Sequence, residues 1–166
     1  MLSIDEKITF LTGVSSFNGL TSTQYQSLAN ICREEYYNAG DRIFNQGETD
    51  GALFVVIEGK VLLEREILNK FNTVSLNTVS AGDYFGEISL FYDAPWSVSA
   101  TATQATTLLK LLNDDFGTFA LSHPALLVKL NRVLSQRLVE AHVKISEVTR
   151  GKKPHELQKL YDGLNF

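Results

Sequence analysis

Two neighbouring segments hold the residues best suited to chemistry: Phe85-Gly86-Glu87-Ile88-Ser89-Leu90 and Pro95-Trp96-Ser97-Val98-Ser99-Ala100. The first has the makings of an anion site. Gly86 lets a ligand approach the backbone, and a helix starting near Glu87 aims unpaired N–H groups at a bound phosphate. Ser89 adds a hydroxyl donor. A cation would complete such a site, and the second segment carries none and holds Trp96 instead.

The elements that position these segments can be read from the change of hydrophobic period. Residues 5–12 and 22–32 read as short helices, with Thr21 or Ser22 as the cap of the second and Gln24 near capping-box spacing. From about Glu34 the period shortens. Segments near 34–37, 41–45, 52–58, 60–67, 72–79, 97–103 and 106–112 are rich in Val, Ile, Thr, Tyr and Phe and are punctuated by turn residues. In one of them Val98, Ala100 and Ala102 share a face, and Ser97, Ser99, Thr101 and Thr103 share the other. Seven or eight such strands predict a closed double-sheet β-roll of jelly-roll type, mainly β with flanking helices. After Asn113 the helical period returns. Asn113 or Asp114 is placed to cap a helix through Ala120, and Pro124 opens a long one. Its apolar stripe is Leu127, Leu130, Leu134, Leu138, Ala141, Ile145 and Val148, and Gly151 ends it. The organisation predicted is one domain over 1–150 (helices 5–32, roll 34–112, C-terminal helices 113–148), then a tail, 151–166.

Bulk properties narrow the function classes. With 166 residues, 44% hydrophobic, the chain can bury one ordinary core. A net charge of −4 argues against a nucleic-acid surface. The single cysteine, Cys32, excludes an internal disulfide and reads as a buried small hydrophobe. No apolar run reaches membrane-spanning length and the N-terminus lacks the basic start of a signal peptide, so a cytoplasmic protein is expected. His123, His142 and His155 lack the spaced carboxylate or cysteine partners of a metal site. No nucleophile triad, phosphate-binding P-loop or paired carboxylates stand out, so neither an enzyme nor a resident cofactor is expected.

The residues of the first paragraph resemble the phosphate cassette of the cyclic-nucleotide-binding domain family, which runs Phe-Gly-Glu-(Leu/Ile)-(Ala/Ser)-Leu and then Pro-Arg-(Ser/Ala)-Ala-(Thr/Ser). The match holds from Phe85 to Leu90 and resumes at Pro95 and Ser97. Gln46-Gly47-Glu48, the run Leu53 to Val61 with Gly59, and Ala81-Gly82-Asp83-Tyr84-Phe85 resemble the family's hairpin and turn upstream, so the similarity covers roughly residues 5–148. The resemblance implies that Gly86, Ile88 and Ser89 donate to a cyclic phosphate, that Glu87 accepts from the ribose hydroxyl, and that Leu63, Leu76 and Val79 line a purine pocket. Trp96, beside Ser97, stands where the family carries its phosphate-binding Arg. Plainer readings accompany these: Glu87 also complements a helix dipole, and the aliphatics also serve as roll core.

A guanidinium grips phosphate through two charge-assisted hydrogen bonds, and an indole offers one neutral N–H. Losing that partner costs about 3–5 kcal/mol, roughly a 10²- to 10³-fold fall in affinity. Arg65 shares parity with Val61, Leu63 and Ile67 and is therefore placed as a compensating cation reaching inward, or as a residue at the rim of the roll. Trp96 either stacks on a base or plugs the empty phosphate site. The expected function is a stand-alone regulatory module in which binding of cAMP or cGMP is weak, altered or lost, or another small anion is bound, with a signal passed to an effector protein. The alternative is a ligand-free scaffold plugged by Trp96. The helix over 124–148 either packs on the roll or forms a homodimer. In catabolite-activator relatives a DNA-reading domain follows it, for which the tail 151–166 is too short.

Overall fold

The structure, a computed structural model, describes residues 1–66, 73–90 and 94–150. The expected strand ends at 67 and 72, the helix stop at Gly151 and the tail 151–166 lie outside the described residues, and so does the Val148 side chain.

Both N-terminal helices start at reciprocal caps. Helix α1 (Ile4–Gly13) is capped by Ser3, whose hydroxyl accepts from Glu6 N–H while the Glu6 carboxylate accepts from Ser3 N–H. Helix α2 (Ser22–Ile31) takes Thr21, rather than Ser22, as its cap. The Thr21 hydroxyl accepts from Gln24 N–H at 3.3 Å, and Gln24 Oε1 accepts from Thr21 N–H at 2.8 Å. Cys32 closes α2. It is buried, donates through Sγ to the Leu28 carbonyl, and burial pushes its thiol up to about 12.

The strands are β1 (Arg33–Tyr37), β2 (Arg42–Phe44), β3 (Ala52–Glu58), β4 (Lys60–Glu66), β5 (Thr73–Ser80), β6 (Tyr84–Phe85), β7 (Ser99–Ala102) and β8 (Thr106–Leu112). They form two four-stranded antiparallel sheets, in the orders β1-β8-β3-β6 and β2-β7-β4-β5. The mainly β, double-sheet roll read from the sequence is the fold observed. Only β6 escapes a sequence reading: two residues are too few to show a period, and they are held by pairing Tyr84 and Phe85 with Val55 and Phe54.

The space between the sheets is filled from both sides. Phe54, Val56, Phe85 and Leu108 of the first sheet meet Phe44, Val61, Val79 and Ala100 of the second, with Trp96 among them. The opposite face of the first sheet is buried as well, through Leu53, Val55, Leu109 and Leu111. A layer on that side is formed by the 3-10 turn Ser15–Phe17, whose Ser16 hydroxyl donates to Tyr84 Oη at 2.7 Å, and by helix α3 (Asn113–Leu121), whose Phe116 packs on Phe17 at 6.5 Å. Burial on both faces explains why β3 reads as an unbroken apolar run instead of an alternation.

One local expectation is corrected, and two residues take places that parity alone does not give. Neither Asn113 nor Asp114 caps α3: the helix begins at Asn113 itself, preceded by Leu112 with no side-chain cap. The Asn113 amide is used elsewhere, donating to the Ser89 carbonyl. On β7, Ser99 is buried although it lies opposite Ala100 and Ala102, because its hydroxyl accepts from Gln46 N–H at 2.9 Å under the β2–β3 connection. Arg65 is exposed, which leaves the rim placement of the two that the sequence allowed. The ladder of β4 and β5 runs past the core, beyond a bulge where Leu63 and Glu64 face Asn77 and Ser75, and Arg65 there pairs with the exposed Val74.

The chain divides into two compact units, Met1–Leu126 and the segment from Leu127 onward. The second is dominated by helix α4 (Pro124–Thr149), on which Leu138, Val139, Val143 and Ile145 are exposed apolar residues.

The turn between β3 and β4 is tightly specified. Gly59 has φ +97°, and a Cβ there would lie 2.6 Å from the Ala105 carbonyl oxygen. Gly59→Ala should therefore destabilise the roll by about 1–3 kcal/mol in urea unfolding. An unchanged midpoint would contradict this account of the turn.

Candidate functional site

The cassette is built where β6 leaves its pairing with β3. Gly86 follows Phe85 with φ +87°, and a Cβ on it would meet the Ala52 carbonyl oxygen at 2.4 Å. Only glycine lets the chain turn this close to β3. The segment that follows, Glu87–Leu90, is a four-residue 3-10 helix, so a short helix does begin at Glu87. Its ordering is local: Ser89 N–H donates to the Gly86 carbonyl at 3.2 Å. The Ser89 hydroxyl lies 2.7 Å from the same carbonyl oxygen and 3.3 Å from that of Ala52. Both donors of Ser89 are thus directed at backbone acceptors. Glu87 is buried, whereas Ile88 is exposed.

Asn113 ties this turn to α3. Its amide donates to the Ser89 carbonyl, and its own N–H donates to the Gly51 carbonyl. Its side-chain oxygen is buried without a hydrogen-bond partner in the structure.

Trp96 lies in the roll core, only 7% exposed. Its ring stacks on Phe44 at 4.0 Å between centroids, with 13° between planes, and lies tilted against Phe54 at 6.3 Å. The far edge of the indole sits 3.2 and 3.3 Å from the Cβ position of Gly86. The indole N–H donates to Asp50 Oδ1 at 3.2 Å. The backbone around it is fixed as well: Trp96 N–H donates to the Glu48 carbonyl, and the Trp96 carbonyl accepts from Gly47 N–H. The Gln46-Gly47-Glu48 turn therefore holds the second half of the cassette.

The other residues singled out by sequence fall in different environments. Ser97 is exposed. Leu63 is half-buried against the core and Val79 is buried within it, but Leu76, at the β4–β5 bulge, is 54% exposed. The structure brings Gly86, Glu87, Ser89 and Trp96 together and leaves Leu76 and Arg65 toward solvent. His123 stacks on Phe119 at 4.3 Å, with Nδ1 2.6 Å from the Phe119 carbonyl oxygen. Among the described residues, no group of three His, Cys, Asp or Glu side chains is placed to hold a metal ion.

Asp50 and Phe44 are the site residues that sequence reasoning did not single out. A lone aspartate in a polar turn gives no periodic signal, and Phe44 reads only as one more strand hydrophobe. The surroundings of Asp50 are acidic. Burial first, then the hydrogen bond to Glu35 and the charges of Glu35, Asp50 and Asp41, hold the Tyr37 phenol above its ordinary range.

The model of the cyclic nucleotide-binding domain matches residues 34–123, more than half of the chain. The chain belongs to that family. The cyclic AMP receptor protein of Thermus thermophilus is 31% identical over 155 residues, covering 90% of this chain and 71% of that protein. The crystal structure of the catabolite activator protein of the same organism superposes with a TM-score of 0.74 at 30% identity, over 81% of this chain and 62% of that one. A cGMP-dependent protein kinase of Plasmodium berghei is 27% identical over 164 residues, 96% of this chain but only 17% of the kinase. The chain thus spans a small part of that kinase and most of the receptor protein. Among the described residues no helix is long and apolar enough to cross a membrane.

Trp96 is the only tryptophan and so reports on its own contact with Gly86. Gly86→Ala should destabilise the fold and shift the tryptophan emission, since the new methyl group meets the ring and the Ala52 carbonyl. Gly82→Ala, with φ +89° and nothing within 4 Å, should destabilise while leaving the emission in place. Equal spectra for the two variants would show that Gly86 does not border the indole.

Proposed function

We propose that this chain is a regulatory binding module, spanning 1–150, in which Trp96 occupies the place that the family resemblance gives to the phosphate-binding arginine. Cyclic AMP and cyclic GMP then bind weakly, and the module acts on a separate effector protein without catalysing a reaction. The observation that carries this reading is the position of the indole: buried in the roll, stacked on Phe44 and set against Gly86. The Ser89 donors support it, because both are directed at backbone carbonyls. Gly86, Glu87 and Ile88 remain the candidate contacts for a phosphate and ribose, with Leu63 and Val79 as the apolar wall. The exposed Arg65 does not serve as the compensating cation in this reading.

The exposed apolar residues Leu138, Val139, Val143 and Ile145 of α4 favour this helix as the surface for an effector or a second copy of the chain. A second reading, a ligand-free scaffold, is favoured by the same packing of Trp96, since a ring with these neighbours fills volume without needing a ligand.

Calorimetry separates tight binding from both readings. With the phosphate cation missing, cyclic AMP and cyclic GMP should bind no tighter than about 100 µM. A sub-micromolar constant would overturn the role given to Trp96. Weak but saturable binding at the cassette supports the regulatory reading, and its complete absence supports the scaffold.

A further inference from the structure

We propose that Asp50 is a second determinant of what this site accepts: its carboxylate anchors the Trp96 indole and turns an anion away. The inference rests on the reading of Trp96 given above and assigns the exclusion of phosphate to two residues instead of one.

The indole bridges two parts of the chain. Its benzo edge lies against Gly86, and its N–H donates to Asp50 Oδ1 in the turn preceding β3. Asp50 stands two residues before Ala52, whose carbonyl oxygen faces both Gly86 and the Ser89 hydroxyl. A neutral donor pointed at a carboxylate is a matched pair. A phosphate brought to the N–H edge of the ring would meet a like charge where it needs a donor, and Asp50 is one of three carboxylates, with Glu35 and Asp41, whose charge reaches Tyr37.

The same geometry decides what an introduced cation would do. A guanidinium at position 96 has a reach comparable to that of the indole, so it can close on the Asp50 carboxylate. Part of its charge is then spent within the protein, and the site offers a phosphate little net attraction. Asp50 must be neutralised before the cation becomes available. Asp50 is itself exposed, so its replacement leaves the core packing of Phe44, Phe54 and Trp96 in place.

The test is titration with cyclic AMP of four proteins: the native chain, Asp50→Asn, Trp96→Arg and the double variant, each first shown to be folded by circular dichroism. Trp96→Arg alone should gain about threefold or less, and the double variant at least about tenfold more, equivalent to 1.4 kcal/mol. Asp50→Asn with Trp96 retained should tighten native binding by about threefold and move the indole N–H resonance upfield as its acceptor weakens. This variant keeps the proposal testable if Trp96→Arg does not fold. Equal affinities with and without Asp50 in both backgrounds overturn the proposal, and so does a folded double variant that binds no better than Trp96→Arg. Sub-micromolar binding by the native chain instead removes the reading of Trp96 itself, whatever Asp50 does.

Discussion

The site depends on how closely Gly86 can approach β3. With the Ala52 carbonyl oxygen 2.4 Å from where a Cβ would sit, no side chain fits at Gly86 without moving backbone. That approach brings the 3-10 turn within reach of the same carbonyl, so that Ser89 turns its hydroxyl inward. It also sets the depth at which the Trp96 ring can lie. Because β3 is central in its sheet and buried on both faces, it has little freedom to retreat. The cassette is therefore fitted to a rigid wall.

Family membership and local chemistry emphasise different aspects of this site. The glycine, the buried glutamate and the turn have the order expected of a phosphate-binding cassette. The indole brings an apolar surface into it and hands its only donor to a carboxylate. In the reading proposed above, the same backbone supports a different balance of charge, and the question of ligand becomes one of a few side chains rather than of fold.

Much of the architecture was legible because the relevant signals are local. Thr21 and Gln24 mark a helix start by spacing alone, and the apolar run through β3 announces a strand covered on both sides. What escaped the sequence depends on tertiary fit. Arg65 has the parity of an inward residue, but its strand outruns the core, and parity carries no information on where a core ends. Asn113 looks like a helix cap, yet the neighbouring Ser89 carbonyl competes for its amide. The contacts of Ser89 with the carbonyls of Gly86 and Ala52 also come from tertiary fit and leave no trace in its spacing. Asp50 gives no pattern at all. Its significance arises only from the indole that another segment places next to it.

The bulge opposite Leu63 and Glu64 has a consequence beyond the site. Strand β5 is the last in its sheet and pairs only with β4 among the described residues, so its outer backbone edge has no strand partner among them. Thr73, Ser75, Asn77 and Thr78 alternate irregularly with the exposed apolar Val74 and Leu76, and a flat strand of that composition would invite edge-to-edge association. One extra residue at the bulge breaks the even spacing of donors and acceptors and increases the local twist. An incoming strand cannot match both halves of β5 in one register. The irregularity that leaves Leu76 out of the roll is thus also of the kind that works against edge-to-edge pairing of strands.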